Sequence, residues 1–349
     1  MNDPAKMDAS HLENVKNDFI PSQSKLSGKS SRKYRFSFGM ILFNGDAFLK
    51  EALESIYDFA YEIIIIEGSD MNAVCMAGSD GGSADNTMRI LENFPDPLEK
   101  IRIIRGSWKD KDEQSNRAIS EATGDYYWQI DDDEVYKEQD LLAVEELLED
   151  DPDITAVSFE WMNFFRNFNT VMIANPPYEV WRLFKIGPGC RFKTHRPPTV
   201  FDPLSGQVLN LVKPLRGSAL AERGIYIYHY SYITDKQVKE KIAYHTNYRL
   251  RECNAGIPFL SFFSKYPNWE NSWKRLWRHR IFYSLRKKFD SEFNYSYLHN
   301  VWAKWEMDPE SVETRFGISP GAGPYRGTTR FSGSHPRSIE MRLSKSSEP

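Results

Sequence analysis

Residues 131–134 are four consecutive acids, Asp-Asp-Asp-Glu, and they directly follow an aromatic, apolar run at residues 126–130. Such a run is typical of a buried parallel strand, and ligands collect at the carboxyl ends of these strands. Crowded carboxylates repel one another and lose hydration unless a cation neutralises them. In an extended backbone, Asp131 and Asp133 face the same way and can share one ion. The pattern indicates either a site for a hard divalent cation or an acidic turn that opens a helix at Glu138.

The composition is that of a globular protein. Of 349 residues, 40% are hydrophobic and 14% aromatic, which excludes global disorder. The net charge of −4 argues against a chain that binds polyanions as a whole. Three widely spaced cysteines fit no metal or disulfide framework and favour a cytoplasmic location. No secretory signal is visible in residues 1–33 and the apolar run at 63–66 is too short for a membrane span, so we expect a soluble or at most peripheral protein.

Strands and helices alternate along the first part of the chain, which predicts right-handed crossovers and a mostly parallel α/β sheet. The predicted strands are 35–43, 62–67, 100–105 and 125–131, and the predicted helices are 46–59, 83–94, 112–122 and 138–148. Ser83 is expected to cap the second of these helices.

The second part of the chain has a different texture, with long aromatic, strand-like runs separated by Pro- and Gly-rich turns. These runs cover residues 155–168, 178–186 and 224–233, and they predict antiparallel strands; helical patterns follow at 235–250 and 269–289. We expect disordered tails at 1–33 and 314–349, a main domain at 34–250 with halves 34–137 and 138–250, and a helical extension at 251–313.

Four segments, taken in order, resemble the family 2 glycosyltransferases. They are Asn44-Gly45-Asp46 opposite the strand that ends in Glu67-Gly68, then Ser83-Ala84-Asp85-Asn86-Thr87, then Asn116-Arg117-Ala118 with Gly124-Asp125, and finally Asp131-Asp132-Asp133, which matches the family's Asp-x-Asp motif. Ser115 stands where the family usually has an arginine. The resemblance is close over residues 35–137 and loose over 150–245. It implies the GT-A fold: a Rossmann-like, mostly parallel sheet flanked by helices, with an antiparallel, aromatic-rich acceptor half and C-terminal helices.

The resemblance also implies an activity in carbohydrate biosynthesis. The chain is expected to be a metal-dependent, inverting, hexosyltransferase-like enzyme that moves a sugar from a nucleotide-diphosphate sugar to an acceptor hydroxyl. Mn²⁺ or Mg²⁺ is the implied cofactor, and imidazole coordination would favour Mn²⁺. The donor base, the donor sugar and the acceptor, which is a glycan, a lipid-linked molecule or a protein, stay open.

The same resemblance assigns residues to the site. The donor nucleotide is expected to contact Asn44, Glu67, Asp85, Asn116 and Asp131. The metal ligands are expected to be Asp131, Asp133 and His229, although a lone histidine in an aromatic strand is often a packed core residue.

The catalytic base is less certain. Relatives often carry a His-Glu pair after the strand that contains Arg-Leu-Phe, but no acid follows His195 here. His195, Glu179 and Glu160 are the candidates for deprotonating the acceptor. Glu134 is expected to orient the sugar or to hold a water molecule. Arg182 is expected to pair with a phosphate or with a carboxylate.

Residues 269–289 combine an apolar stripe at helical spacing with lysines and arginines on the other faces. The segment is either a helix packed on the core or an interfacial helix on anionic lipid; no motif for nucleic-acid binding accompanies it.

A nucleotidyltransferase and a non-catalytic binding protein are the two alternative functions. A nucleotidyltransferase would want a Gly-rich, basic loop after the first strand, which Asn44-Gly45-Asp46 does not supply. A non-catalytic nucleotide- or carbohydrate-binding protein on the same scaffold is the alternative from another class.

Overall fold

A computed structural model describes residues 32–174, 177–234, 236–237, 240–241 and 325–346. The chain divides into two compact units, residues 1–233 with 327–349, and residues 234–326. The predicted domain boundaries at 250 and 313 stay predictions. The expected extension at 251–313 and the basic segment at 269–289 lie outside the described residues, as does most of the expected helix at 235–250.

The elements of the described chain follow the expected alternation and then the expected change to strands. The strands are β1 Phe36–Leu42, β2 Glu62–Glu67, β3 Ile101–Arg105, β4 Tyr126–Ile130, β5 Glu134–Val135, β6 Ala156–Phe165, β7 Asn167–Ala174, β8 Glu179–Lys185, β9 Arg191–Thr194, β10 Thr199–Asp202, β11 Gln207–Val208, β12 Pro214–Leu215, β13 Ile227–Tyr232 and β14 Tyr325–Arg330. The helices are α1 Leu49–Ile56, α2 Thr87–Asn93, α3 Lys111–Glu121, α4 Glu138–Asp150, α5 Leu209–Val212, α6 Gly217–Ala221 and α7 Arg337–Ser346. In the ranges that are described, none of these helices has the length and apolar character that a membrane span requires.

The main sheet has the strand order β14-β7-β6-β8-β4-β1-β2-β3. Strands β3, β2, β1 and β4 are mutually parallel, whereas β8 runs antiparallel to both β4 and β6. β12 and β13 pair in parallel with β6, and β5 pairs antiparallel with β13. β11, β10 and β9 form a separate antiparallel sheet. The fold class expected from the sequence is confirmed.

Strand β2 shows why the apolar runs become central strands. Ile63 and Ile65 belong to the core on the side of α1, whereas Ile64 and Ile66 pack with Ala118 of α3 on the other side. A parallel strand with helices on both faces must be apolar at every position. The uninterrupted isoleucine run therefore fixes β2 in the middle of the sheet.

Helix α2 begins later than the sequence indicated. It begins at Thr87, whose backbone N–H donates to the Asp85 carboxylate over 2.9 Å, and its N-cap residue, Asn86, makes no side-chain cap bond. Ser83 does not cap this helix; its Oγ accepts the backbone N–H of Asn44 over 2.9 Å. The segment before Thr87 is held by the loop after β1 instead of by helical bonds.

The end of the chain is folded where a disordered tail was expected. Residues 325–346 form β14 and α7. Ile339 of α7 is fully buried, and Arg342 lies 3.3 Å from the Glu51 carboxylate of α1 while its guanidinium stacks over Phe48. The high Gly, Ser, Pro and Arg content predicted disorder, but one apolar side chain and one arginine dock the helix.

We predict that Gly39→Ala destabilises the protein by about 1–3 kcal/mol, because overpacking a filled core costs this much. A Cβ at this β1 position would lie 2.0 Å from the phenolic oxygen of the buried Tyr127. The matched control is Gly187→Ala, where a Cβ meets no atom within 4 Å, so we expect a change within about 0.5 kcal/mol. Urea unfolding measures both, and equal stability of the two variants would contradict this packing.

Candidate active site

The carboxyl ends of β1, β2 and β4 meet at one edge of the main sheet. Leu42 is in register with Glu67, and Met40 is in register with Ile130. The loop after β1 and the acidic stretch after β4 therefore lie beside Glu67, as expected, at the edge where α/β sheets bind ligands.

Arg182 of β8 neutralises two of the four acids. Its Nη2 lies 2.5 Å from Oδ2 of Asp131 and 2.5 Å from Oε1 of Glu134. Burial alone would raise the pKa of the Asp131 carboxyl, but the attraction of Arg182 outweighs it and the pKa lies at about 2. Asp131 is therefore ionised, and a buried guanidinium supplies its counter-charge.

Glu134 is buried beneath this edge. Its side chain is fully excluded from solvent, and Oε1 also accepts the indole N–H of Trp161 over 2.8 Å. Burial raises the pKa of this carboxyl above its ordinary value, although Arg182 opposes the shift. With its oxygens held by Arg182, Trp161 and the backbone of Asp131, Glu134 positions the site in this structure; the expected contact with the sugar is not seen.

Asp133 faces His229 of β13. Oδ1 of Asp133 lies 3.3 Å from Nε2 of His229, and Oδ2 accepts the hydroxyl of Ser231 over 2.6 Å. β13 pairs antiparallel with β5, so that His229 is in register with Glu134, the residue after Asp133. All three side chains are buried.

The hydrogen bond at Nδ1 of His229 identifies Nε2 as the nitrogen that faces Asp133. Nδ1 is hydrogen-bonded to the amide oxygen of Asn163, and the ring stacks on Trp161 at 4.5 Å. An amide oxygen only accepts, so Nδ1 carries a proton and Nε2 is the ring nitrogen that faces Asp133. At this distance either a proton or a metal cation lies between Nε2 and the carboxylate oxygen. The donor set therefore fits a divalent cation that accepts both imidazole and carboxylate.

The third predicted metal ligand is turned elsewhere. Asp131 is ion-paired with Arg182. Across the described ranges, no group of three or more His, Cys, Asp or Glu side chains has the geometry of a metal site. The structure thus brings Asp133 and His229 together and leaves Asp131 with the arginine. Asp132 lies apart, against the loop after β1, where a Cβ on Gly45 would come within 2.6 Å of its carboxylate.

Two of the predicted nucleotide contacts hold loops together. Asn44 has a left-handed backbone, with φ of 52°, and its side-chain oxygen accepts the N–H of Ala84 over 2.7 Å. Asp85 accepts the N–H of Asp46 over 3.0 Å. These hydrogen bonds connect the loop after β1 to the segment before α2, so both side chains hold the loops at this edge of the sheet in place.

Glu67 is engaged in an ion pair. Its Oε2 lies 3.0 Å from Nε of Arg105, which also reaches Asp80 at 2.7 Å, and its Oε1 accepts the N–H of Ser83 over 2.7 Å. The carboxylate is fully buried. In this arrangement Glu67 orders the loops around it; the predicted contact with base or ribose remains a prediction.

Asn116 joins α3 to the small sheet. Its side chain accepts the N–H of Phe192 over 2.9 Å and donates to the carbonyl of the same residue over 3.1 Å. It therefore acts as a strand partner for β9 and sets the position of the chain that continues to His195.

His195 is a buried, neutral histidine. Its backbone N–H donates to Asp112 over 2.5 Å, and its Nδ1 lies 2.9 Å from the Ser115 hydroxyl. Burial, with the charge of Lys111, lowers the pKa of the ring to about 3. A ring with this pKa is a weak base, so its environment does not favour the base role predicted for it.

Glu179 is also occupied. Its carboxylate lies 2.6 Å from Arg216 and accepts the Ser158 hydroxyl over 2.5 Å and the Gly217 N–H over 2.9 Å. Glu160 is its cross-strand neighbour. The candidate bases thus fall into two separate environments, and the identity of the base stays a prediction.

Sequence reasoning missed three residues that order the acidic stretch. Ser231 could have been predicted from the sequence, because Ser231 lies two residues from His229 in one strand and so shares its face. Trp161 and Asn163 could not, because they reach His229 only through the parallel pairing of β6 with β13.

Residues 37–196 match the family described as Glycosyl transferase family 2. This stretch, which is less than half of the chain, resembles a family 2 glycosyltransferase domain. Its GT-A-type sheet carries the acidic stretch at the expected edge. No curated protein matches the chain at a significant level.

Several solved structures resemble the chain over a limited part. S. aureus TarS is 15% identical, with 39% of this chain and 36% of that chain covered and a TM-score of 0.27. The mannosyltransferase PcManGT from Pyrobaculum calidifontis, in complex with GDP-Man and Mn²⁺, is 17% identical, covers 44% of each chain and has a TM-score of 0.29. Glucosyl-3-phosphoglycerate synthase from Mycobacterium tuberculosis is 18% identical, with 38% and 45% covered and a TM-score of 0.27. Each match spans less than half of both chains.

We predict that Arg182→Met lowers the free energy of unfolding by about 3–5 kcal/mol, because it leaves two carboxylates without their buried counter-charge. The matched control is Arg102→Met, which removes an exposed arginine that bridges Glu62 and Glu121 and should cost about 1 kcal/mol or less. Urea unfolding compares the two, and a similar small loss for both would show that Arg182 does not hold the acidic stretch.

Proposed function

We propose that the chain is a metal-dependent, inverting glycosyltransferase that moves a sugar from a nucleoside-diphosphate sugar to an acceptor hydroxyl. The family match supports sugar transfer. The observation that supports the metal dependence is the approach of His229 Nε2 to the Asp133 carboxylate over 3.3 Å, with Nδ1 of the ring already bonded to Asn163. Inversion is proposed from the family resemblance.

Asp133 and His229 would hold the cation, with Mn²⁺ preferred over Mg²⁺ because imidazole is a ligand. When bound, the cation supplies positive charge that stabilises the diphosphate of the leaving nucleotide. Ser231 and Asn163 orient the two ligands by hydrogen bonds, which fix the carboxylate rotamer and the imidazole tautomer. Asp131, kept ionised beside Arg182, would face the ribose or the metal.

Two observations favour the non-catalytic alternative. Glu179 is ion-paired, and His195 is a weak base. A binding protein on this scaffold would hold a nucleotide with metal but would not turn it over. The acceptor, the cytoplasmic location and a peripheral membrane contact through residues 269–289 remain predictions.

The test is release of nucleoside diphosphate from a panel of nucleotide sugars, with Mn²⁺, Mg²⁺ or EDTA. We expect slow, metal-dependent release from one donor, and Asp133→Asn should reduce it by at least about 100-fold, because an amide replaces the anionic metal ligand. The control Asp132→Asn makes the same change one residue away and should retain release. Binding of nucleotide without release from any donor would favour the alternative, and full activity of Asp133→Asn would exclude the proposed metal site.

We further predict that His229→Ala weakens Mn²⁺ binding by about 10-fold or more, as loss of a ligand should. Titration calorimetry or Mn²⁺ electron paramagnetic resonance on the full chain measures this without any substrate. The control is His335→Ala, which removes a buried imidazole bonded to Tyr230 on the opposite face of β13. Equal Mn²⁺ affinity of the wild-type protein and His229→Ala would show that His229 is a packed core residue and not a metal ligand.

A further inference from the structure

A second buried histidine, His195, has different hydrogen-bond partners from those of His229. Nδ1 of His195 lies 2.9 Å from the hydroxyl of Ser115 on α3 and 3.3 Å from the amide nitrogen of Gln129 on β4. All three side chains are buried, and the His195 residue is 6% exposed. This Ser115–His195–Gln129 cluster has no role in the metal site described above.

The cluster determines which ring nitrogen carries the proton. An amide nitrogen only donates, so Nδ1 accepts from Gln129 and, at the same time, from the Ser115 hydroxyl. A neutral imidazole with Nδ1 as acceptor carries its proton on Nε2. Within the described ranges, no group pairs with Nε2 of His195. The ring is therefore a fixed hydrogen-bond donor whose N–H is still available.

The charges around this ring favour an anionic ligand. Lys111 at the start of α3 and the adjacent Arg196 place positive charge near this ring, whereas the charge of Arg182 is already paired with Asp131 and Glu134. Asp112 binds the backbone of His195 rather than the ring. Because burial keeps the ring neutral, it contributes an N–H dipole to this region, and that dipole does not change with pH between 6 and 8.

We propose, on the basis of the proposed function, that Nε2–H of His195 donates a hydrogen bond to a diphosphate oxygen of the nucleotide donor, with Ser115 and Gln129 as positioning residues. The side chains that fix His195 all come from α3 and β4, the elements of the nucleotide-binding half, which favours the donor over the acceptor. Ser115 itself departs from the arginine usual in the family; its short hydroxyl can approach the ring and donate to Nδ1.

The experiment measures the affinity of the full chain for free UDP, GDP, ADP and CDP with Mn²⁺ by calorimetry, and then follows the nucleotide that binds best. We expect about 10-fold weaker binding by His195→Ala, which is the value of one hydrogen bond to a charged acceptor. His195→Gln, which restores an N–H donor, should recover part of the loss. Ser115→Ala should weaken binding several-fold, whereas the control Ser120→Ala, on an exposed turn of the same helix, should not.

A second readout separates a substrate contact from a purely structural role. In protein labelled with ¹⁵N-histidine, His195 should show the Nε2–H tautomer, and the Nε2 resonance should shift when the nucleotide is added. A structural role would lower the melting temperature without this shift. Because the His195 ring stays neutral between pH 6 and 8, it should not make the nucleotide affinity of the wild-type protein depend on pH in this range.

The outcomes are distinguishable. Unchanged affinity of folded His195→Ala and Ser115→Ala, or an Nδ1–H tautomer, would overturn the inference while the glycosyltransferase proposal stands. So would a pH–rate profile that loses its basic group in His195→Ala at unchanged affinity, since His195 would then be the base. No nucleotide binding by the wild-type protein would overturn the proposed function and this inference together.

Discussion

The buried ion pair of Arg182 with Asp131 and Glu134 is the constraint on which the site depends. A run of acids at the end of a buried strand is unstable without counter-charge, because desolvation and mutual repulsion each cost several kcal/mol. One guanidinium from β8 serves two carboxylates, so the antiparallel placement of β8 beside β4 is a requirement of the sequence at 131–134 as well as a feature of the fold. Asp133 is not paired with Arg182 and takes its partners from another strand.

That strand is β13, which links the two halves of the domain. Alternation along this strand turns His229 and Ser231 toward Asp133, and it turns Tyr228 and Tyr230 toward the aromatic cluster on the other face. The end of the chain closes this cluster, since His335 bonds Tyr230 and Ile339 of α7 is buried beside it. His335 and Ile339 therefore support the strand that carries a candidate metal ligand.

The sequence was sufficient wherever the pattern was local. The isoleucine run of β2 and the acids after β4 predicted the central strands and the edge at which ligands collect. Boundaries failed where a distant segment supplies the hydrogen bonds, as at α2, whose first turn is replaced by bonds from the loop after β1. Asn163 and the docking of α7 depend on strand register and on contacts between residues far apart in the chain, and no periodicity encodes either. Residue type is also ambiguous, since Asn44 and Glu67 at this edge are as well suited to bracing loops as to binding a nucleotide.

The two buried histidines illustrate how neighbours set the chemistry of identical side chains. Nδ1 of His229 donates to the oxygen of Asn163, so Nε2 is the nitrogen that faces the Asp133 carboxylate, and this pair fits a metal cation. Nδ1 of His195 lies beside Ser115 and Gln129, and in our inference its Nε2–H donates to an anion. A nucleoside diphosphate with its divalent metal would satisfy both requirements at once. We therefore propose that the two rings contact one bound ligand, His229 through its metal and His195 through its diphosphate.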